Sequence, residues 1–386
     1  MTIEEIVSHA RLRTSARVRG RHVLAIQDTT DVRVHSDNSG MVLHPTIAVD
    51  AEDGTLFGLV HAELLKREGG RGGGRDKHKE LSFADKQSQR WLRGIEQAAT
   101  LHASGAVAVT VITDREGDIY EDFALRPADV DLIIRASQDR CLSDGSHLFD
   151  QSALLRQAGE MLVDLPAAPG RRARTAKLSL RFATVEIARP KRHVRTAEFA
   201  ALPDHVTLNL VEACEIDPPA GAAAAHWRLL TTHPVTNLED ARRIVHYYRQ
   251  RWTIEQVFRT LKTKGFDVEA LRVVEGPFEK LIAAALVAAV TVFQLVRERD
   301  GRAKRPFTDV LDPADQPALE AINAKLEGKT LRQKNPHPKG SLAYAAWVFA
   351  RLGGWTGYYG KPGPVVILSG LVHFQALLQG WKLHDV

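Results

Sequence analysis

The chain has 386 residues, of which 44% are hydrophobic and 26% are charged, and its net charge is +5. This length is sufficient for a sizeable core and two or three structural units, and the composition is that of an ordinary globular protein. The small positive excess permits binding to a polyanion but does not require it. Cys141 and Cys214 are the only cysteines, so a disulfide framework is excluded and a reducing compartment is expected.

Neither the N-terminus nor the longest apolar stretch of the chain indicates a membrane protein. The N-terminus, Met-Thr-Ile-Glu-Glu-Ile, lacks the basic-then-apolar layout of an export signal. The longest apolar stretch, Leu281 to Val296, has 16 residues, whereas a spanning helix needs roughly 20. We therefore expect a buried core helix there, and a cytoplasmic protein that does not contact a membrane.

The first third of the chain predicts a mixed sheet with helices on its faces. A short amphipathic helix is expected over 3–19, and the Asp53-Gly54 pair predicts a hairpin turn. Apolar, β-branched runs predict strands at 23–27, 46–50, 56–64, 106–113 and 131–135. Helices are predicted over 84–103 and 117–126. The order βββαβαβ is that of an α/β layer architecture.

The rest of the chain changes character twice. Short alternating runs within 140–235 predict a β-rich insertion, with strands at 177–182, 184–188, 206–212 and 227–232. From Asn237, a plausible helix N-cap, the pattern is helical, over 238–264, 277–299, 314–327 and 341–352. The Gly-rich, basic segment 66–79 is expected to form a loop.

Three acidic residues stand in contexts that suit one active site. Asp28 and Asp114 each follow an apolar, β-branched run, and Glu255 lies in a strongly helical segment. Two carboxylates at strand ends facing one from a helix can hold a pair of divalent cations, an arrangement suited to cutting or joining a phosphodiester.

The helix carrying Glu255 has a polar edge. At about 100° per residue, Tyr248, Arg251, Glu255 and Lys262 fall within an arc of roughly 60°. A plain alternative is a solvated stripe with an Arg251–Glu255 ion pair worth about 0.3 kcal/mol. The aromatic hydroxyl in the same arc and the two strand-end aspartates favour the functional interpretation.

These residues resemble the signature of a known family. Tyr248-x2-Arg251-x3-Glu255-x6-Lys262 is similar to the YREK signature of DDE transposases from bacterial insertion sequences, of the IS-four, Tn-five-like branch. Ile26-Gln27-Asp28-Thr29-Thr30 resembles the first acidic motif of that family, and Asp114-Arg115-Glu116-Gly117-Asp118-Ile119 resembles its second. Leu352-Gly353-Gly354-Trp355 is similar to its closing motif. The resemblance covers about residues 20–386.

The resemblance implies a fold and a division of the chain. The fold is a ribonuclease H-like catalytic core, a mixed five-stranded sheet with flanking helices, with a β-rich insertion and an α-helical C-terminal region. The expected segments are a helical remnant (1–20), the first part of the core (21–139), the insertion (140–235), the catalytic and packing helices (236–300) and the C-terminal region (301–386).

The resemblance also implies roles for individual residues. Asp28, Asp114 and Glu255 would be the catalytic residues and would ligate two Mg²⁺ or Mn²⁺ ions. Tyr248, Arg251 and Lys262 would hold phosphates around the scissile bond, and Trp227 would stack on an extruded base. Arg115 and Lys264 are further DNA-binding candidates.

Several of these residues also have a purely structural interpretation. Asp28 can serve as a cap or Asx turn beside two threonines, Asp118 rivals Asp114, and Trp227 can be a core residue. Arg115 and Lys264 can be solvated surface cations.

The expected partner is double-stranded DNA, both the ends of the element and the target, bound by a homodimer. Basic clusters would follow the DNA backbone without reading its sequence. They lie at Lys66–Lys79, Arg171–Lys177, Arg189–Arg195 and Lys329–Lys339. The implied reaction is metal-dependent cut-and-paste transposition, in which a strand is nicked, a hairpin forms and is opened, and the 3′-OH attacks target DNA.

The sequence departs from the family pattern at its start. Relatives generally carry a helical DNA-reading domain ahead of the first aspartate, which here is already at position 28. A start assigned too late, a truncated relic and an inhibitory short form are three explanations. A general ribonuclease H-like nuclease is a further functional alternative. The expected setting is the bacterial cytoplasm, in association with the nucleoid.

Overall fold

A computed structural model describes residues 2–33, 40–66, 88–166, 172–191, 196–262, 266–270 and 277–384. The chain forms two compact units. The first unit comprises Met1–Arg19, Thr29–Arg67 and Thr253–Val386, and the second comprises Gly20–Asp28 and Glu68–Trp252. The five segments predicted from the sequence stay a prediction.

The described residues contain ten strands, together with ten helices that are each at least six residues long. The strands are β1 His22–Gln27, β2 Thr30–Arg33, β3 Gly40–Asp50, β4 Leu56–Lys66, β5 Ala108–Thr113, β6 Val130–Arg135, β7 Gly159–Leu165, β8 Arg174–Ala188, β9 His205–Ile216 and β10 His226–Thr231. The helices are α1 Ile3–Ser15, α2 Gln89–Ala103, α3 Tyr120–Leu125, α4 Leu148–Leu154, α5 Leu238–Arg249, α6 Trp252–Lys262, α7 Pro277–Glu298, α8 Gln316–Leu326, α9 Leu342–Leu352 and α10 Pro364–His384.

The second unit is built on one mixed sheet in the order β1-β5-β6-β10-β9-β8-β7. Strands β1, β5 and β6 are parallel, and β6 pairs with β10 in antiparallel fashion, with Arg135 opposite Leu229. The strands of the predicted insertion therefore continue the same sheet. All five strands predicted for the core are present, as β1, β3, β4, β5 and β6, and the strands of the insertion extend the sheet beyond them. The ribonuclease H-like assignment stays a prediction.

Helices cover this sheet and explain its continuous apolar strands. Residues 23–26 of β1 are fully buried, as expected for a parallel strand covered on both faces. Helix α2 packs on β1 and β5 with Trp91, Ile95, Ala98 and Leu101 buried, a spacing of three to four residues that gives a single apolar face. Helix α5 packs across β8, β9 and β10.

The first unit joins a small antiparallel sheet, β2-β3-β4, to the terminal helices. Helices α1 and α7 pack on β4, and α9 and α10 pack on α7. Side chains tie helix to strand, since the Thr14 hydroxyl donates to the Leu59 carbonyl at 2.8 Å and Gln294 Nε2 donates to the Phe57 carbonyl at 2.8 Å. The predicted hairpin turn is confirmed, with Gly54 at φ 73°.

Helices α7 and α10 are both long and apolar enough to cross a membrane, judged by length and composition alone. The apolar window of α7 is 56% buried within the protein, in agreement with the predicted core helix, and that of α10 is 22% buried. Segment 66–79, predicted as a loop, lies outside the described residues apart from Lys66.

Three details of the strand and helix predictions were incomplete. The runs 177–182 and 184–188 form one strand, β8, because each residue from Lys177 to Ala188 pairs with β9. Strands β2 and β7 and helices α4 and α10 have no counterpart among the predicted elements.

Candidate active site

Asp28 and Asp114 lie at the same edge of the second unit's sheet. Their strands, β1 and β5, are parallel neighbours whose last paired residues are Ile26 and Ile112. Each aspartate therefore directly follows its strand, two residues after the last paired position. Both aspartates are at strand ends, as predicted, and the carboxyl ends of parallel strands form the ligand-binding edge of such sheets. Their shared role in binding a metal stays a prediction.

The turn after β5 fixes the backbone of Asp114. Its Oδ1 accepts a hydrogen bond from the Glu116 amide at 2.8 Å, which starts a single 3₁₀ turn, Arg115–Gly117. A Cβ at position 117 would lie 2.4 Å from Thr113 Oγ1, so only glycine fits there. The glycine of this motif thus brings the turn back against its own strand.

Asp118, the rival of Asp114, is a buried structural residue. Its Oδ2 accepts from the Ser137 amide at 2.7 Å, the Ser137 hydroxyl at 3.2 Å and the Gln138 amide at 3.2 Å. Its Oδ1 accepts from Arg140 Nε at 2.8 Å and Nη2 at 2.6 Å. The carboxylate has no exposed surface, whereas Asp114 is half-buried. Asp114 is therefore the better placed of the two to hold a ligand.

Arg251 forms an ion pair with Asp28, with Nη1 donating to Oδ2 at 2.8 Å. The exposed fractions of the two side chains are 17% and 13%, so the pair is largely shielded from water. Charge-assisted hydrogen bonds of this kind are short and strong. The guanidinium neutralises a carboxylate that would otherwise attract another cation.

A cavity of about 450 Å³ opens beside this pair. Its walls include Trp227, Tyr248 and Arg251, and the Trp227 and Tyr248 rings are tilted at 60° with centroids 5.8 Å apart. Burial raises the pKa of the Tyr248 hydroxyl, which keeps it protonated. An aromatic wall with a hydroxyl and a cation at its rim suits a flat ring attached to a phosphate.

Arg135 also lines this cavity, and the sequence reasoning missed it. It is the last residue of β6, and its Nη2 donates to the His226 carbonyl at 2.8 Å, next to Trp227 in the chain. Burial lowers the pKa of Arg135, and a hydrogen bond to Tyr248 acts in the opposite direction. Its position at the end of a strand adjacent to β5 was the signal that could have identified it.

The single helix predicted over 238–264 is wrong. Helix α5 ends at Arg249 and α6 begins at Trp252, because the Gln250 amide bonds to the Tyr247 carbonyl and the Arg251 amide to the Tyr248 carbonyl, each three residues back. Tyr248 therefore belongs to α5, Arg251 to the break, and Glu255 and Lys262 to α6. The shared 60° arc does not exist as a feature of one helix.

The remaining candidates are distributed as follows. Glu255 and Lys262 lie on α6 in the first unit, where Lys262 donates to the Asp31 carbonyl and pairs with Glu269 at 3.3 Å. The convergence of Glu255 with Asp28 and Asp114 stays a prediction. Arg115 is exposed, and Lys264 lies outside the described residues.

The donor chemistry at the sheet edge fits a hard cation, since carboxylate oxygens are the ligands that Mg²⁺ and Mn²⁺ prefer. No three His, Cys, Asp or Glu side chains are grouped as metal ligands within the part of the chain that the structure describes. The cation that pairs with Asp28 in this structure is the Arg251 guanidinium.

Comparison with protein families agrees with the geometry. Residues 19–291, more than half of the chain, match the model of a family described as "Transposase DDE domain". The match contains every candidate site residue. The protein therefore belongs to the DDE-domain transposase family.

Proposed function

We propose that this protein is a DNA transposase of the IS-four, Tn-five-like branch that carries out metal-dependent cut-and-paste transposition. The observation that supports this most strongly is the placement of Asp28 and Asp114 at adjacent strand ends, with Arg251 bonded to Asp28 and an aromatic cavity beside it. The substrate is double-stranded DNA, at the ends of the element and at the target. The setting is the bacterial cytoplasm, in association with the nucleoid.

Asp28, Asp114 and Glu255 would hold two Mg²⁺ or Mn²⁺ ions. When bound, such ions would activate the attacking water or 3′-OH and stabilise the leaving oxygen. The role of the protein is to present carboxylate oxygens from two fixed strand ends. The third carboxylate comes from α6, on the far side of the break at Gln250 and Arg251.

The cationic and hydroxyl groups would hold the scissile phosphate. Arg251 would exchange its bond to Asp28 for a phosphate oxygen once Asp28 serves as a ligand, and its planar fork matches phosphate geometry. Tyr248, kept protonated by burial, would donate from its hydroxyl, and Arg135 beside it would add a second cation. Lys262 would contribute from α6.

Trp227 would stack on a base extruded from the DNA, within the 450 Å³ cavity. Extruding a base costs a few kcal/mol, and stacking on an aromatic ring offsets about 1–3 kcal/mol of that cost. Such a base is expected when a tight hairpin forms at the element end. Basic clusters, of which Lys329–Lys339 is fully described, would follow the backbone.

The test is strand nicking of DNA that carries the flanking element ends, with and without Mg²⁺. Asp28→Asn, Asp114→Asn and Glu255→Gln should each abolish metal-dependent nicking while the fold is retained. Asp150→Asn is the matched control, because Asp150 is an exposed aspartate in the first turn of α4. Nicking by any of the three variants at the control rate would overturn the proposal.

Two alternatives would be recognised in the same experiment. Equal nicking of DNA with and without element ends would indicate a general nuclease. A chain that does not nick but suppresses a full-length relative when the two are mixed would indicate an inhibitory form. A two-subunit assembly is expected for pairing two DNA ends, so we propose a homodimer on DNA.

A further inference from the structure

The first unit contains a second polar cavity, of about 480 Å³. It lies between the β3–β4 hairpin, the C-terminal end of α7 and the segment that follows α7. Four arginines line it: Arg297, Arg299, Arg302 and Arg305. None of them belongs to the motifs that the proposed transposase function uses.

The carboxyl groups that line this cavity are engaged by other groups. Asp309 accepts from Arg305 Nε at 2.6 Å and pairs with Arg17 at 3.4 Å, and Asp300 pairs with Lys361 at 2.6 Å.

The two remaining carboxyl groups accept from backbone amides. Glu298 accepts from the Ala303 and Arg305 amides, and burial raises the pKa of its carboxyl group. Asp53 accepts from the Thr55 amide at 2.8 Å.

Three arginines have no ion-pair partner within 4 Å among the described residues. Arg299 Nη1 donates to the Pro362 carbonyl at 2.9 Å, while its Nε is buried without a hydrogen-bond partner in the described ranges. Arg297 donates to the Thr253 hydroxyl at 3.1 Å, and burial lowers its pKa. Arg302 completes the set on the same wall. The wall itself has four arginines and four carboxyl groups. Arg17 and Lys361, which lie outside the wall, pair with two of these carboxyl groups, so the cluster as a whole has an excess of two positive charges.

We propose that this cavity binds a phosphate group. A dianion would match the excess charge of the cluster, and its oxygens would accept from Arg299, whose Nε is buried without a partner in the described ranges, and from the exposed Arg302. The planar fork of each guanidinium suits phosphate geometry. A buried guanidinium with an unused donor is unfavourable, and an anion beside it removes that penalty. The group can come from a DNA backbone or from a free phosphate compound, which share this chemistry.

The cavity also borders the helix that carries Glu255. Gln256, the next residue on α6, is part of the wall, and Arg297 bonds to Thr253 at the start of the same helix. An anion beside Arg297 would therefore act on the N-terminal turn of α6. This consequence rests on the proposed function, whereas the phosphate site itself does not.

The experiment is a calorimetric titration of the full chain with inorganic pyrophosphate at constant ionic strength, in EDTA and without DNA. Arg299→Gln should weaken binding about tenfold or more, the effect expected from losing one charge-assisted bond. Arg19→Gln, which removes an exposed arginine outside the cavity, should change the affinity less than about twofold. Circular dichroism would establish that both variants fold.

The outcomes separate the site from its ligand source and from catalysis. Competition by a short duplex lacking element ends would identify backbone phosphate as the ligand, and no competition would identify a free phosphate compound. No binding by the wild type, or equal weakening in both variants, would overturn the proposal. Because the assay contains no divalent metal, failure of the nicking experiment would leave its result unchanged.

Discussion

Replacing Asp118 by asparagine should destabilise the protein without removing a metal ligand. The carboxylate takes five hydrogen bonds and lies against Arg140, whose side chain is only 6% exposed. Asparagine keeps one acceptor oxygen but leaves the guanidinium buried without its anion. Breaking a buried ion pair in this way costs about 3–5 kcal/mol. That is a large fraction of the roughly 5–15 kcal/mol that stabilises a typical domain.

The half-buried Asp114 should behave in the opposite way. Asp114→Asn loses an anion but keeps an oxygen able to accept from the Glu116 amide, so the free energy of unfolding should change by less than about 1 kcal/mol. Urea unfolding at neutral pH measures the stability of both variants, and metal-dependent nicking measures their activity. We expect Asp118→Asn to be unstable and Asp114→Asn to be stable but inactive.

The reverse pattern would refute the reasoning. If Asp118→Asn unfolds at the wild-type urea concentration yet does not nick DNA, Asp118 is acting as the ligand and Asp114 is not. Arg140→Gln provides an independent check, because it removes the same ion pair from the other side. It should destabilise the protein by a similar amount.

Three further predictions concern acid stability, the turn after β5 and the aromatic cavity. Burial lowers the pKa of His233 from 6.5 to about 4. Between these two pH values the unfolded chain is protonated at this residue and the folded protein is not. The free energy of unfolding therefore falls as the pH falls, by at most about 3 kcal/mol. Urea unfolding at pH 7 and pH 5 should show this loss, and His233→Gln should flatten it; an unchanged slope would contradict the assignment. Gly117→Ala should cost about 1–3 kcal/mol and reduce nicking, because its Cβ would overlap Thr113, whereas Gly363→Ala, in open space, should do neither. Thermal unfolding compares the two, and equal stability would argue against the tight turn. Trp227→Ala should slow hairpin formation more than the first nick, as gel analysis of the products would show; equal slowing of both steps would count against base stacking.

The sequence predicted the parts of the site that depend on local pattern. Strands β1 and β5 are continuous apolar runs, and a polar residue directly after each run marks the strand end, so the positions of Asp28 and Asp114 at strand ends could be predicted. That these strands are parallel neighbours is a result of the structure, and the metal-binding role of the two residues stays a prediction. The hairpin at Asp53-Gly54 was recognisable for the same reason, because a positive φ requires glycine there.

The break between α5 and α6 was missed because no glycine or proline marks it. The signal was present in the apolar positions, since Ala241, Ile244 and Val245 form one face of α5, whereas Ile254 and Val257 of α6 fall roughly 160° away at about 100° per residue. A single straight helix cannot bury both faces against one surface. The jump in the apolar face was the clue to two helices.

Long-range pairing explains the other differences. The extent of the seven-stranded sheet depends on β10 pairing with β6, a contact between residues almost 100 positions apart, which strand patterns alone do not reveal. The importance of Arg135 follows from the same pairing, because it places Arg135 opposite Leu229, two residues after Trp227.

The most direct test of the proposed active site is a calorimetric titration of Mn²⁺ into the DNA-bound protein. We expect the wild type and Asp150→Asn to bind two ions per chain, and Asp28→Asn, Asp114→Asn and Glu255→Gln each to lose at least one. This result would show that carboxylates from β1, β5 and α6 share the bound cations. If Glu255→Gln binds Mn²⁺ as the wild type does, while both aspartate variants do not, the three acids do not form one metal site and the account is wrong.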